Sequence, residues 1–153
     1  VCDTLQKEGK NPYFIPGGGS NPTGALGYVS AVYEMLDQFK EQNLNVGWIV
    51  MATGSTGTQA GLVAGLHAAG SDVKVLGVSV RQPKDVQVAA VHKLAVATAA
   101  QLTEEPLPVE KIYVEDGYVG EGYGLPTEGT IDAIKTLART EGVLLDPIYS
   151  AKG

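Results

Sequence analysis

The 153 residues carry 17 acidic and 11 basic side chains, a net charge of −6, with 44% hydrophobic, 18% charged and 7% aromatic residues. That balance describes one soluble globular domain: disorder needs a lower apolar content, a membrane span needs ~18 or more consecutive apolar residues, and a nucleic-acid partner needs clustered Lys and Arg. The 20 glycines, about 13% of the chain against a usual share of about 7%, follow no G-X-Y period and so exclude collagen, while Cys2, the one cysteine, excludes an internal disulfide framework and a cysteine-rich metal site and fits a reducing cytosol.

In chain order, Val1-Cys2-Asp3-Thr4 shows neither an initiator Met nor a signal-peptide pattern, and Gly153 follows a strand-like run, so both ends are expected to be cut ends. Residues 13–16 are a short apolar run entering Gly17-Gly18-Gly19-Ser20, which predicts a brief strand and a glycine loop at a domain crossing. Across 24–41, Leu26, Val29, Val32, Tyr33, Leu36 and Phe39 recur at helical steps and predict one buried face. Continuous apolar and β-branched content predicts a strand over 46–53, covered on both faces as in a parallel sheet, and a small-residue helix follows over 59–69. The pattern repeats: strand 73–80, helix 84–102, a Pro-containing loop at 104–108, strand 111–115, a Gly- and Tyr-rich loop at 118–127, helix 128–141 and a last strand over 143–148. Such alternation predicts an α/β fold of three layers, a mostly parallel sheet with helices on both faces.

Ligands of doubly wound sheets bind outside the carboxyl ends of the strands, so the loops after Thr53, Val80, Glu115 and Ile148 are where chemistry is expected. Gly54, Ser55, Thr56, Gly57 and Thr58 stand between a buried strand and a helix start. Glycines that let amides converge, with three added hydroxyls, suit a phosphate at the positive end of a helix. No Lys follows the last Gly, so this is not a Walker A loop, and G-x-x-G is not the G-x-G-x-x-G of dinucleotide folds. An ordinary capped strand-to-helix turn uses the same residue types. Tyr123, in a glycine-flanked loop, and Tyr149, at the end of the last predicted strand beside Ser150, can each stack on a ring, donate a hydrogen bond or transfer a proton; each also suits simple packing. His67 and His92 have no carboxylate or Cys at ligand spacing and read as structural or surface residues, so no metal site is expected.

Taken together, four stretches resemble one family, the fold-type II pyridoxal-phosphate enzymes of the D-cysteine desulfhydrase and 1-aminocyclopropane-1-carboxylate deaminase group. They are P-Y-F-I-P-G-G-G-S-N-P-T-G-A-L-G-Y at 12–28, A-T-G-S-T-G-T-Q-A-G-L at 52–62, G-Y-G-L-P-T-E-G at 122–129 and E-G-V-L-L-D-P-I-Y-S-A-K-G at 141–153, in the family's order and spread over nearly the whole chain. The resemblance implies a Rossmann-like large domain, with residues 1–22 ending a small domain and crossing over, and residues 23–153 forming an incomplete cofactor-binding large domain. It implies pyridoxal 5′-phosphate as cofactor, a small amino acid as substrate, a homodimer, and a cytoplasmic place with no membrane and no nucleic-acid partner. Ser55, Thr56, Gly57 and Thr58, with Gly54 leading in, match the family's phosphate cup. Tyr149 matches a tyrosine close to cofactor and substrate, Tyr123 a second active-site tyrosine, and Ser150 the position facing the pyridine nitrogen. There the deaminases have Glu; a hydroxyl supplies a milder electron sink, adequate for β-elimination.

The family's Schiff-base lysine has no counterpart among these residues, since Lys152 falls in the stretch after the active-site tyrosine, Ala151 stands where the family usually has Gly, and Lys74 and Lys84 read as surface lysines. The implied activity is a lyase that releases pyruvate, sulfide and ammonia from D-cysteine, with this chain a partial enzyme that is inactive alone. L-cysteate sulfo-lyase and 1-aminocyclopropane-1-carboxylate deaminase stay open within the family, and a non-catalytic phosphate-binding α/β module stays open outside it.

Overall fold

Three runs of apolar, largely β-branched residues form the sheet. The computed structural model describes residues 1–153 and places strands β1 (Trp48–Thr53), β2 (Lys74–Ser79) and β3 (Tyr113–Glu115) side by side in the order β1-β2-β3. Both pairings are parallel, with Val50 opposite Leu76 and Leu76 opposite Tyr113. Helices intervene: α1 (Cys2–Lys7), α2 (Pro22–Glu41), α3 (Gly57–Ala68), α4 (Lys84–Ala99) and α5 (Glu128–Thr140), with short 3-10 turns at Gly17–Gly19, Val109–Lys111 and Ser150–Lys152.

Helices α2, α4 and α5 start where side chains accept from their first amides. Asn21 accepts from the Gly24 amide at 2.7 Å ahead of Pro22, which has no N–H to satisfy. Thr127 and Thr130 exchange reciprocal bonds of 3.2 Å across the first turn of α5. The start of α4 is tied across the sheet end, its Lys84 amide donating to Asp116 Oδ2 at 2.7 Å.

Pleating sends alternate strand residues to opposite faces. Val75 and Val114 look to one side and pack with Ala60, Val63 and Ala64 of α3 and Val91 and Ala95 of α4, while Val29 and Val32 of α2 cover α3 from behind. Helix α3 is therefore buried from Gln59 through His67. On the opposite face Val50, Leu76 and Val78 share a cavity of about 440 Å³ with Gly129, Thr130 and Ala133 of α5. Helices thus occupy both faces, closely packed on one and loosely on the other.

Two predicted strands do not form. Residues 13–16 are irregular and exposed, with Tyr13, Phe14 and Ile15 all at least 70% accessible, because no neighbouring strand offers them a ladder. Residues 143–148 run irregularly into tight turns instead of a strand: Pro147 donates no amide, and Asp146 captures the amides that follow it. Helix α1 was not anticipated; it buries none of its residues, so no apolar period announces it.

Candidate functional site

The turn from β1 into α3 has the chemistry of an anion cup. Thr56 adopts φ 75°, a left-handed conformation uncommon for a residue with a Cβ, and this turns the chain sharply into the helix. The first amides of α3 project from its positive end. That of Gly57 donates to Ser20 Oγ at 3.2 Å, whereas those of Thr58 and Gln59 meet no acceptor in the chain. A Cβ on Gly57 would lie 3.0 Å from Ser20 Oγ, and one on Gly54 3.1 Å from the Tyr149 ring, so both glycines permit close approach. Gly18 packs directly on Ser55, bringing the glycine turn at Gly17–Gly19 onto the cup.

Buried polar side chains hold this edge in place. Gln87 of α4, 1% accessible, donates through Nε2 to Thr53 Oγ1 at 3.0 Å and to the Gly54 carbonyl at 3.3 Å. Ser79 Oγ donates to the Gln82 carbonyl at 2.7 Å and accepts from the Gln82 amide at 3.1 Å, folding the loop after β2 beside the cup. Between the two loops lies a cavity of about 410 Å³. Gly54, Ser55, Tyr123 and Tyr149 line it, joined by Gly18, Val80, Arg81 and Gln82. The structure thus brings four of the eight sequence-predicted site residues onto one cavity. Thr56, Gly57 and Thr58 sit behind it in the turn and first helical residues, and Ser150 lies in the adjoining 3-10 turn. Arg81, Gln82 and Gln87 were not singled out in sequence. The rule that ligands bind at strand carboxyl ends pointed to the loop after Val80, but no local motif marked these side chains.

Tyr149 is half-buried, and its hydroxyl donates to the Ala52 carbonyl at 3.2 Å. Burial, with the nearby Tyr123 and Tyr28 phenols adding to it, pushes its ionisation above the ordinary phenol value, so at neutral pH it is a proton donor. Its backbone is fixed by Asp146, whose carboxylate accepts from the amides of Ile148 at 2.9 Å, Tyr149 at 2.7 Å and Ser150 at 2.9 Å, and from Ser150 Oγ at 2.6 Å. These donors hold the Asp146 carboxyl well below the usual carboxylate range.

Lys152 is 4% accessible and gives its ammonium to the carbonyls of Val119 at 2.6 Å and Gly122 at 2.8 Å, pinning the loop that carries Tyr123. Lys74 and Lys84 are exposed, as expected; Lys74 lies 5.1 Å over the Trp48 ring. His67 and His92 are structural: their Nε2 atoms donate to the carbonyls of Glu105 at 3.1 Å and Leu107 at 2.9 Å, and both hold the loop ahead of β3. No group of three or more His, Cys, Asp or Glu has the spacing of a metal site, and no helix is long and apolar enough to cross a membrane.

Comparison with known proteins bears on the family and the fold. A family model described as pyridoxal-phosphate dependent enzyme matches residues 1–153. Over 152 residues the chain is 40% identical to a D-cysteine desulfhydrase of Serratia proteamaculans (strain 568), covering 99% of this chain and 46% of that protein. A solved structure described as an ACC deaminase homologue superposes with a TM-score of 0.87 at 34% identity, over 99% of this chain and 45% of that one. The chain therefore spans about half the length of the relatives it matches.

Proposed function

The chain belongs to the pyridoxal-phosphate dependent enzymes, and from that premise we propose that it forms the cofactor-phosphate half of a lyase acting on a small amino acid with a β-leaving group. The observation that carries the reading is the pair of acceptor-free amides, Thr58 and Gln59, at the start of buried helix α3, beside a cavity walled by two tyrosines. The donor set suits the cofactor: two amides at a helix N-terminus and the hydroxyls of Ser55, Thr56 and Thr58 match a phosphate, and Gly54 and Gly57 leave it room. Bound there, the cofactor would supply an electron-withdrawing ring that weakens the bond from Cα of the substrate to its hydrogen.

The protein's own residues then have distinct tasks. The cup anchors and orients. Ser150 takes the ring nitrogen, as the family resemblance implies. Tyr149, neutral and partly shielded, offers a proton at its phenolic oxygen once it leaves the Ala52 carbonyl, and Tyr123 closes the same side. D-cysteine, releasing sulfide, is the substrate of first choice because the Serratia relative is a D-cysteine desulfhydrase. Residues 23–153 act as the large-domain part and residues 1–22 as the crossing from a small domain, within a homodimer.

The cup is tested with pyridoxine 5′-phosphate, which has no aldehyde and needs no lysine. Calorimetry on the 153-residue chain should show saturable binding, weakened about tenfold or more, ~1.4 kcal/mol, by Gly57→Val. Absence of binding, or equal affinity in the variant, would overturn this placement. Residues 1–153 alone should release no pyruvate from D-cysteine, because the Lys152 ammonium is committed to two carbonyls and no lysine lines the cavity.

A further inference from the structure

The turn from Asp146 to Ser150 contains more than a structural cap. A hydroxyl has one proton and two lone pairs. Ser150 Oγ commits its proton to Asp146 Oδ2 at 2.6 Å and one lone pair to the Asp146 amide at 2.9 Å. One lone pair remains. The bond to the carboxylate is charge-assisted, about twice as strong as a neutral one. No Lys or Arg lies within ion-pair distance of Asp146; the one salt bridge of the chain joins Lys10 to Glu8. The negative charge is thus shared among hydrogen bonds and opposed by no cation.

We propose that Asp146 is a positioning residue that makes Ser150 a hydrogen-bond acceptor toward the cofactor's ring nitrogen, so that this nitrogen is held in its protonated form. The inference rests on the reading of Ser150 given above and deepens it. An unprotonated pyridine nitrogen needs a donor, and Ser150 would have to break its 2.6 Å bond to Asp146 to become one. A protonated nitrogen needs an acceptor, which the remaining lone pair supplies while every existing bond is kept. Polarisation by the carboxylate also makes Oγ a better acceptor. Asp146 would then act at one remove, through a hydroxyl, as a carboxylate acts in direct contact. The mild electron sink expected from a hydroxyl alone becomes a deeper one.

The test reads the nitrogen directly. Pyridoxine 5′-phosphate labelled with ¹⁵N in the ring is bound to the 153-residue chain at a pH where the free probe's ring nitrogen carries no proton, and its ¹⁵N resonance is recorded. The proposal expects the pyridinium position in the wild type and a move to the free-pyridine position in both Asp146→Asn and Ser150→Ala, with affinity at that pH falling about tenfold or more, because the proton taken up on binding is linked to binding free energy that both variants lose. Asn keeps one oxygen for the amides of Ile148 and Tyr149, while its NH2 replaces the oxygen that accepts from the Ser150 amide and hydroxyl, so the variant removes the bond to Ser150 Oγ with two of the turn's three amide bonds kept. A pyridinium signal that persists in folded, probe-bound Asp146→Asn would overturn the proposal, as would an unprotonated ring in the wild type. Should Asp146→Asn fail to fold, Ser150→Ala decides: loss of the pyridinium signal supports the assignment, and its persistence overturns it. Failure of the wild type to bind the probe removes the cup itself and this inference with it; binding with an unprotonated ring removes the inference alone.

Discussion

Tyr149 shows how one side chain joins stability to chemistry. Its phenol is half-buried against Gly54 and Val80, with Tyr123 and Tyr28 near enough to disfavour its ionised form. A group whose folded-state value is raised stabilises the fold fully below its ordinary value, here ~10, and loses that contribution as pH climbs through the raised one. Alkaline titration followed by phenolate absorbance should therefore show one of the seven tyrosines ionising after the others, with the loss of folded signal tracking that late step. Tyr149→Phe should delete the late step; its survival in the variant would assign the burial to another tyrosine. Sequence placed Tyr149 and Tyr123 near the site through motif resemblance, and both line the cavity. It did not show what holds them. Gln87 meets the cup from 33 or 34 residues away, and Ser20 from 37, separations at which no local pattern carries a signal. Asp146 was hidden differently: the apolar V-L-L before it reads as a strand, although Asp-Pro is a turn signal.

At the scale of elements, helix α3 shows one of the uses to which glycine is put. A Cβ on Gly61 would run into the Ala25 carbonyl and meet Tyr28 Cβ at 2.7 Å, and one on Gly65 would meet Val32 Cγ2 at 3.0 Å and Val29 Cα at 3.1 Å, so α2 can approach α3 only because these positions are bare. Gly27 on the exposed side of α2 has nothing within 4 Å of such an atom. The same substitution should thus have opposite signs. Gly61→Ala is expected to destabilise by about 1–3 kcal/mol through overpacking, whereas Gly27→Ala should stabilise by about 0.5–1 kcal/mol through helix propensity and reduced unfolded-state entropy. Urea unfolding of both variants checks this, and a stabilised Gly61→Ala would mean that the two helices are not in this contact. Helices α2 to α5 and the three strands that formed were legible because apolar period and content changed sharply at their ends. What was not legible was which small residues mark a ligand turn and which a helix crossing; both are glycines, and only packing separates them.

Across the whole molecule, tightness of packing divides the chain in two. Helices α2, α3 and α4 and the sheet share the buried cluster, whereas the segment after β3 contributes mainly Thr130, Ala151 and Lys152 to the interior. That segment is moored to the rest by few polar ties, Tyr149 to the Ala52 carbonyl and Asp116 to the Lys84 amide, while Lys152 joins the segment's own two ends through the carbonyls of Val119 and Gly122. Segments with few buried apolar contacts open first, below the free energy of global unfolding. Hydrogen exchange should accordingly protect β1, β2, α3 and α4 most, residues 117–153 less, and residues 1–16, none of them buried, least. Lys152→Met keeps the length and apolar stem of the side chain but leaves two carbonyls without their donor, at a cost of about 2 kcal/mol. Because those carbonyls belong to the loop carrying Tyr123, the faster exchange should concentrate at residues 117–124 and around the 3-10 turn Ser150–Lys152, with α3 unchanged. Uniformly faster exchange, reaching α3 and β2, would show instead that Lys152 supports the core and that both parts unfold as one.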